Sequence, residues 1–445
     1  MVEQCKMDLV GLLIKRKNIK YFEHFVVFII VIYAGNTTEF TNAEESWNDP
    51  IGMLLPIVSV ATLALLKGVR FNQKYFLLLI GFVMYFVATT LYFGQVHPRF
   101  FGIYIIRITS VYLVVSALGF RFFEVYEDVL YFLSIIAVVF WVILNIIPTT
   151  FIEFLRPFEF SSQGNEKGNV DFNVLFYTIG NYTLFPDSIV HLGGLPIIRN
   201  AGFCWEPGVF ASFVNIAIFS NLLRNRFKLK NNKHLIVFII AIGSTLSTTG
   251  YSLFILLLMF YLYNQEVYKV VWFAPIFAVI TIGLSALPFM SEKVTSDYEL
   301  TTKELVYRSA KYNLPYSPQR FQSLEIDFID FLEYPITGYG GHMDATWTKK
   351  IGANIVTISG IGELISQFGL VGILFFLSSL WISAKQIILI FNVRGVIFPV
   401  LFVLLYGISY SVLSTLMMII WMIQMASFRK TLALRKFALN NMIEA

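Results

Sequence analysis

Long apolar runs follow one another through nearly the whole of this 445-residue chain, and only two extended polar stretches, Thr149–Ile198 and Ser291–Val356, interrupt them. Few folds accept such a pattern. A segment of about 20 apolar residues is stable in a bilayer as a helix, because helical pairing satisfies every backbone N–H and C=O within the segment. Composition points the same way. Hydrophobic residues make up 57% of the chain and charged residues 14%, with a mean hydropathy of +0.70, whereas a soluble domain carries about a quarter charged residues. The expected fold is therefore all-α and polytopic, a single multi-pass membrane domain over residues 1–445.

Twelve apolar runs are long enough to consider as spans: 21–35, 51–66, 75–94, 101–120, 129–147, 203–223, 234–247, 251–264, 270–290, 357–384, 396–407 and 412–427. Two pairs, 234–264 and 396–427, turn within three or four residues, so tight re-entrant hairpins are an alternative to full crossings there. Orientation follows from Lys and Arg, which stay on the cytoplasmic side of short loops. With the N-terminus inside, the cytoplasmic segments hold 21 of the 33 basic residues, among them Lys15, Arg16, Lys17, Arg121, Arg224, Lys233, Arg394 and Arg429. The acidic cluster Glu39, Glu44, Glu45 and Asp49 and both polar stretches fall outside, as two large periplasmic loops at 149–198 and 291–356. Both termini are expected in the cytoplasm. The first apolar run ends at Ala34, Gly35 and Asn36 without a small-x-small cleavage site, so the first helix is expected to be retained.

The basic groups read as topology determinants rather than nucleic-acid contacts, and the net charge of +5 says little about partners. Cys5 and Cys204 fall on opposite sides of the membrane and cannot pair. Five scattered histidines and the lack of metal-ligand spacings or phosphate-cradling glycine loops predict neither a metal nor a cofactor. An ATP-driven machine is disfavoured on the same ground.

Chemistry is expected where cations meet the outer loops. Arg199 opens the segment RNAGFCWEPG at 199–208, and its planar fork of donors suits a phosphate or diphosphate; the bland alternative is a snorkelling flank residue. Glu206, just before Pro207, is either a helix-terminus acid or a general base for a sugar hydroxyl, and one residue can do both. Arg107 falls within an apolar run, where a charge costs roughly 2.5–3.5 kcal/mol and usually faces an internal cavity; a structural ion pair is the alternative. The second loop carries Arg308, Lys311 and Arg320. After them, Leu324, Phe328, Phe331 and Leu332 recur at helical spacing with Glu325, Asp327, Asp330 and Glu333 on the other side, which predicts an amphipathic surface helix with mostly solvated acids. Pro335 and the glycines at 338, 340 and 341 end it, leaving Tyr339, His342 and Asp344 in a flexible turn.

Four segments stand in a telling order: Arg199 with Gly202, Glu206 and Pro207; STLSTTGYS at 244–252; Arg320 through YPITGYG at 334–340; and GELISQFGLVG at 362–372. In this order and on this hydropathy pattern they resemble the O-antigen polymerase and ligase superfamily of bacterial envelope glycan assembly. The match extends over about 197–376, and upstream of residue 190 only the hydropathy agrees. The resemblance implies a glycosyltransferase of the GT-C-like membrane class in the bacterial inner membrane, acting on undecaprenyl-diphosphate-linked oligosaccharide, with Arg199 and Arg320 engaging diphosphate and glycan. Glu206 is the candidate base, and Arg107, Arg308, Lys311, Tyr339 and His342 are candidate substrate contacts. Ligases of the family place a histidine just before the last segment, where this chain has Ile358, Ser359 and Gly360, so the resemblance favours a Wzy-type polymerase. A chain-length regulator protein is an expected partner. The competing classes are an O-antigen ligase and a twelve-helix lipid-linked oligosaccharide flippase, although the repeats and short loops usual in transporters are not evident.

Overall fold

The computed structural model describes residues 19–35, 50–158, 172–174, 176–179, 189–192, 195–265, 301–312, 318–355 and 357–425. The expected span at 270–290, the acidic cluster at 39–49, Cys5 and the basic groups near both termini lie outside the described residues. The chain is mostly helical. In order come α1 (19–34), α2 (Pro50–Leu66), α3 (Gln73–Phe93), α4 (Pro98–Leu118), α5 (Arg121–Ile146), α6 (Pro148–Leu155), α7 (Pro207–Arg224), α8 (Lys233–Thr245), α9 (Thr248–Asn264), α10 (Thr302–Tyr312), α11 (Arg320–Glu333), α12 (Gly360–Phe391), α13 (Ile397–Ser409) and α14 (Thr415–Met422). Two antiparallel hairpins lie between α6 and α7: Phe172–Val174 with Tyr177–Ile179, and Val190–Leu192 with Leu195–Ile197. Five helices, α3, α4, α5, α7 and α12, are long and apolar enough to cross a membrane. At 1.5 Å per residue, α8, α9, α13 and α14 each fall short of a hydrocarbon core of about 30 Å.

The described chain forms two compact units, residues 1–70 with 113–247 and residues 71–112 with 248–445. In the first, α5, α7 and α8 pack on one another. Every residue of α7 from Pro207 to Leu223 is buried, so it carries no single apolar stripe, and its small residues Gly208, Ala211, Ser212, Ala217 and Ser220 let neighbouring backbones approach. Its hydroxyls are satisfied within the helix: Ser212 and Ser220 donate to the carbonyls four residues earlier, each at 2.9 Å.

α5 begins at Arg121 rather than at the expected Val129, which brings Arg121, Glu124, Glu127 and Asp128 into the helix. A buried charge is tolerated when paired and hydrogen-bonded, and here the partners come from distant sequence. Glu23 on α1, fully buried, forms ion pairs with Lys67 and with Arg121 at 3.0 Å. Glu127, also fully buried, meets Asn221 Nδ2 and His234 Nδ1 at 2.7 Å each and Arg224 at 2.9 Å.

In the second unit α12 packs against α11, α13 and α14. The sequence reads 357–384 as one span, but the helix breaks at Gly369, whose backbone sits at φ +60°, ψ −161°. A strap formed by residues 334–341 takes up the freed backbone groups. Tyr339 N donates to Ser366 O at 3.0 Å, Gly340 N to Gln367 O at 2.9 Å, Leu370 N to Pro335 O at 2.8 Å and Val371 N to Ile336 O at 3.2 Å. Irregular backbone at membrane depth survives where protein covers and pairs it, and the strap does both. Glycine is required at the crossing. A Cβ on Gly338 (φ +65°) would lie 2.4 Å from the Gln367 carbonyl carbon, and one on Gly369 would lie 2.5 Å from Gly338 N.

α11 forms where expected, but its acids are not mostly solvated. Ser323, Ile326, Asp327 and Asp330 are its buried residues, while Phe321, Phe328 and Leu332 are exposed. The polar stripe faces inward because α12 offers it a glycine, Gly362, where a Cβ would lie 2.1 Å from Asp327 Oδ2. The amide of Trp347 adds a donor to Asp330 Oδ1 at 2.6 Å.

Candidate functional site

In the first unit, Arg199 and Glu206 flank one short segment between the second hairpin and α7. The segment is braced to α5 and α8. Trp141 Nε1 donates to Ile198 O at 2.6 Å and Asn145 Oδ1 accepts from Ile198 N at 2.8 Å. Asn200, fully buried, donates through its side chain to Ser244 Oγ at 2.8 Å and accepts from Gly202 N at 2.9 Å. The last carbonyls of α8, which have no partner within the helix, are met by Asn200 N on Ser244 O at 3.0 Å and by Arg199 Nε on Thr245 O at 3.1 Å. Arg199 therefore carries a helix-terminus role, a favourable place for a cation. Gly202 (φ +55°) cannot carry a side chain, since its Cβ would lie 2.6 Å from the Phe210 ring.

Glu206 occupies the N-cap of α7 with extended backbone, φ −138° and ψ 141°, and Pro207 follows as the first helical residue. Its side chain makes no capping hydrogen bond, so the usual side-chain-to-amide explanation for an acid at this position does not account for it. It is half-buried.

In the second unit Arg320 is the first residue of α11, after a capping box formed by Gln319 and Gln322. Nη1 donates to Thr249 Oγ1 and to Ser409 Oγ, each at 2.7 Å, and Nη2 to Tyr410 OH at 3.1 Å. The guanidinium also lies over the Tyr410 ring, 4.9 Å from its centroid. Three hydroxyls and a ring thus hold the fork at the ends of α9 and α13. Thr249 belongs to the 244–252 segment of the resemblance; Ser409 and Tyr410 carried no signal in the sequence.

Arg107 on α4 is half-buried, with its guanidinium carbon 5.8 Å from the Tyr104 ring. Tyr104 OH donates to Gln367 Oε1 at 2.7 Å, and Tyr85 OH to Thr337 O at 2.8 Å and Gln367 O at 2.7 Å. These tyrosines tie α3 and α4 to the break in α12 and to the glycine strap. Beside them an apolar cavity of about 280 Å³ is lined by Phe82, Tyr104, Leu364, Phe368, Phe375 and Trp421, among others.

Tyr339 and His342 are not in an open turn. Tyr339 is buried within the strap, and His342 is buried against Phe93 (ring centroids 4.4 Å) and His97 (4.3 Å). Burial lowers the His342 pKa, and His97 lowers it further. Arg308 and Lys311 lie on the exposed side of α10, where Lys311 Nζ approaches the rings of Tyr312 and Tyr307 at 5.2 and 6.0 Å.

Asp327, expected among the solvated acids of α11, is buried. Burial pushes its carboxyl up to about 8, against a Thr357 hydrogen bond and with help from the charges of Asp330 and Glu363. Burial likewise raises Asp330 to about 6. The spacing of Ser323, Asp327 and Asp330 as one helical stripe was the available signal.

No family model matches this chain, and no curated protein or solved structure matches it. The site is therefore read from its own geometry and from the motif resemblance.

Proposed function

We propose that this chain is a glycosyltransferase of the bacterial inner membrane that polymerises undecaprenyl-diphosphate-linked oligosaccharide repeat units into O-antigen or a related surface polysaccharide on the periplasmic face. In this reading the chain has about twelve spans, its termini are cytoplasmic and its two large loops are periplasmic. The fold belongs to the GT-C-like class, and a chain-length regulator is the protein partner.

The observation that carries the reading is how the resemblance's scattered segments pair up within the second unit. Thr249 of the 244–252 segment meets Arg320, and the 334–340 segment threads the break in the 362–372 segment. The planar fork of donors on Arg320 that the three hydroxyls orient suits an anionic ligand. The apolar cavity beside the break would take part of a hydrocarbon chain.

The proposed reaction needs no nucleotide. An acceptor hydroxyl oxygen attacks the anomeric carbon of the donor sugar, the new glycosidic bond forms, and the bond from that carbon to the diphosphate oxygen breaks. Undecaprenyl diphosphate leaves with its electron pair, and the hydroxyl proton passes to a base, for which Glu206 is the candidate. Arg320 and Arg199 are the proposed diphosphate and glycan cations, acting by position and charge. Arg107, Tyr339 and His342 serve the same substrate in this reading, and Arg308 and Lys311 stand on the loop helix α10.

A flippase is the second reading, favoured by the α12 break, since interrupted helices mark transporter binding sites. Purified protein in vesicles, given an undecaprenyl-diphosphate repeat unit, separates the two. A ladder of polymer supports the polymerase; lipid translocation without elongation supports the flippase.

A further inference from the structure

We infer that α11 is an interfacial helix whose outer face, formed by Phe321, Phe328 and Leu332, docks into the lipid of the bilayer rather than facing water. These side chains are 69%, 47% and 61% exposed, and at offsets of 0, 7 and 11 residues they share one side of a helix with 3.6 residues per turn. The opposite side is sealed against protein through Ser323, Ile326, Asp327 and Asp330. Of the two exposed acids, Glu325 accepts a hydrogen bond from Thr302 and Glu333, at the helix end, pairs with Lys350. A helix that buries Asp327 and Asp330 while exposing Phe321, Phe328 and Leu332 side by side inverts the arrangement that water favours, and the inversion is explained if the outer medium is hydrocarbon.

Two contacts say which medium it is. The end of α11 runs into Tyr334, whose ring packs on Phe93 (5.1 Å) and Tyr92 (6.4 Å) at the end of α3. α3 is a 21-residue apolar helix long enough to span, with Leu77, Met84 and Leu91 exposed along it, so α11 ends at the level where a span ends. Beyond Tyr334, Ile336 is 66% exposed, and the strap enters the break in α12, itself a spanning helix. The apolar surface of α11 is thus continuous with a lipid-facing one. Tyr334 and Lys350, whose Nζ lies 2.8 Å from Tyr334 OH, supply the aromatic and cationic anchors usual at such a level. α11 differs from a free amphipathic anchor, which turns a cationic side to water: its polar side is held by α12, so protein contacts set its depth. The inference does not depend on the reaction proposed above.

Single cysteines at Phe321, Phe328 and Leu332, with Lys349 as the exposed control, are introduced into full-length protein lacking Cys5 and Cys204, labelled with a nitroxide and reconstituted in phosphatidylethanolamine and phosphatidylglycerol vesicles. Collision with molecular oxygen, which concentrates in hydrocarbon, is compared with collision with a water-soluble nickel chelate. Lipid docking predicts oxygen-dominated relaxation at all three outward positions and nickel-dominated relaxation at 349. Nickel access at the three positions equal to that at 349 overturns the inference in favour of a solvated face, and exclusion of both reagents overturns it in favour of a protein partner. Should labelling spoil one variant, the other two report on the same face, and Phe328→Trp quenched by brominated lipid gives an independent reading.

Discussion

Replacing Asp327 by Asn should stabilise this protein at alkaline pH, although it alters a buried side chain. The carboxyl holds its proton to about 8 against an ordinary value of 3.8, chiefly through burial. A raised folded-state pKa means that the neutral acid's contribution is whole below the unfolded value, near pH 4, and is lost progressively as pH climbs towards 8. At about 1.4 kcal/mol per pH unit, the loss across that window is on the order of 5 kcal/mol. Asn does not titrate, so the variant avoids it. Against this stands the amide left where Oδ2 now finds no hydrogen-bond partner among the described residues, an unmet group worth about 1–3 kcal/mol. The first term exceeds the second at pH 8.5 and vanishes at pH 4. Thermal unfolding in detergent, followed by intrinsic fluorescence at pH 4.5, 6.5 and 8.5, should show the wild type losing stability as pH rises and the variant losing much less. The residual slope belongs to Asp330, whose carboxyl titrates near 6. A variant that melts below the wild type at pH 8.5, or keeps the wild-type slope, would refute the argument that Asp327 is held neutral.

Gly338→Ala should cost several kcal/mol or abolish folding, since the new Cβ would sit 2.4 Å from the Gln367 backbone at a positive φ; normal yield and melting temperature would remove the strap from the fold's requirements. Arg320→Lys keeps the charge but cannot reach Thr249, Ser409 and Tyr410 as a fork, and polymer length should fall sharply at normal protein level, with an unchanged ladder counting against the proposed contact. Glu206→Gln separates base from terminus acid: loss of only a helix-dipole interaction costs at most about 1 kcal/mol and spares activity, whereas loss of a general base lowers turnover by on the order of 100-fold or more.

Hydropathy made the helices legible because one-dimensional apolar runs are what a bilayer selects; among the described residues eleven of the twelve apolar runs overlap helix, and five of those helices are long and apolar enough to cross a membrane. What it could not supply depends on partners far along the chain. The charged start of α5 is accommodated by distant partners: Glu23, itself paired with Lys67, meets Arg121, and Asn221, Arg224 and His234 meet Glu127. The α12 break is invisible in an unbroken apolar run until the strap at 334–341 arrives to pair its backbone. The amphipathic period of α11 is legible in the sequence, but the burial of Asp327 and Asp330 is not, since periodicity distinguishes two faces without saying which is buried. At the candidate site Arg320 was evident from its loop and its motif. Its hydroxyl cage was not, because Ser409 and Tyr410 sit at the end of α13 with nothing in their neighbourhood to mark them.

The most direct test is to count products. Purified full-length protein, reconstituted with an undecaprenyl-diphosphate repeat unit and no nucleotide, should release one undecaprenyl diphosphate for each glycosidic linkage formed, and Arg320→Lys should slow both together. Lipid-linked substrate that is bound or translocated while neither linkages nor free undecaprenyl diphosphate accumulate would contradict the assignment as a polymerase.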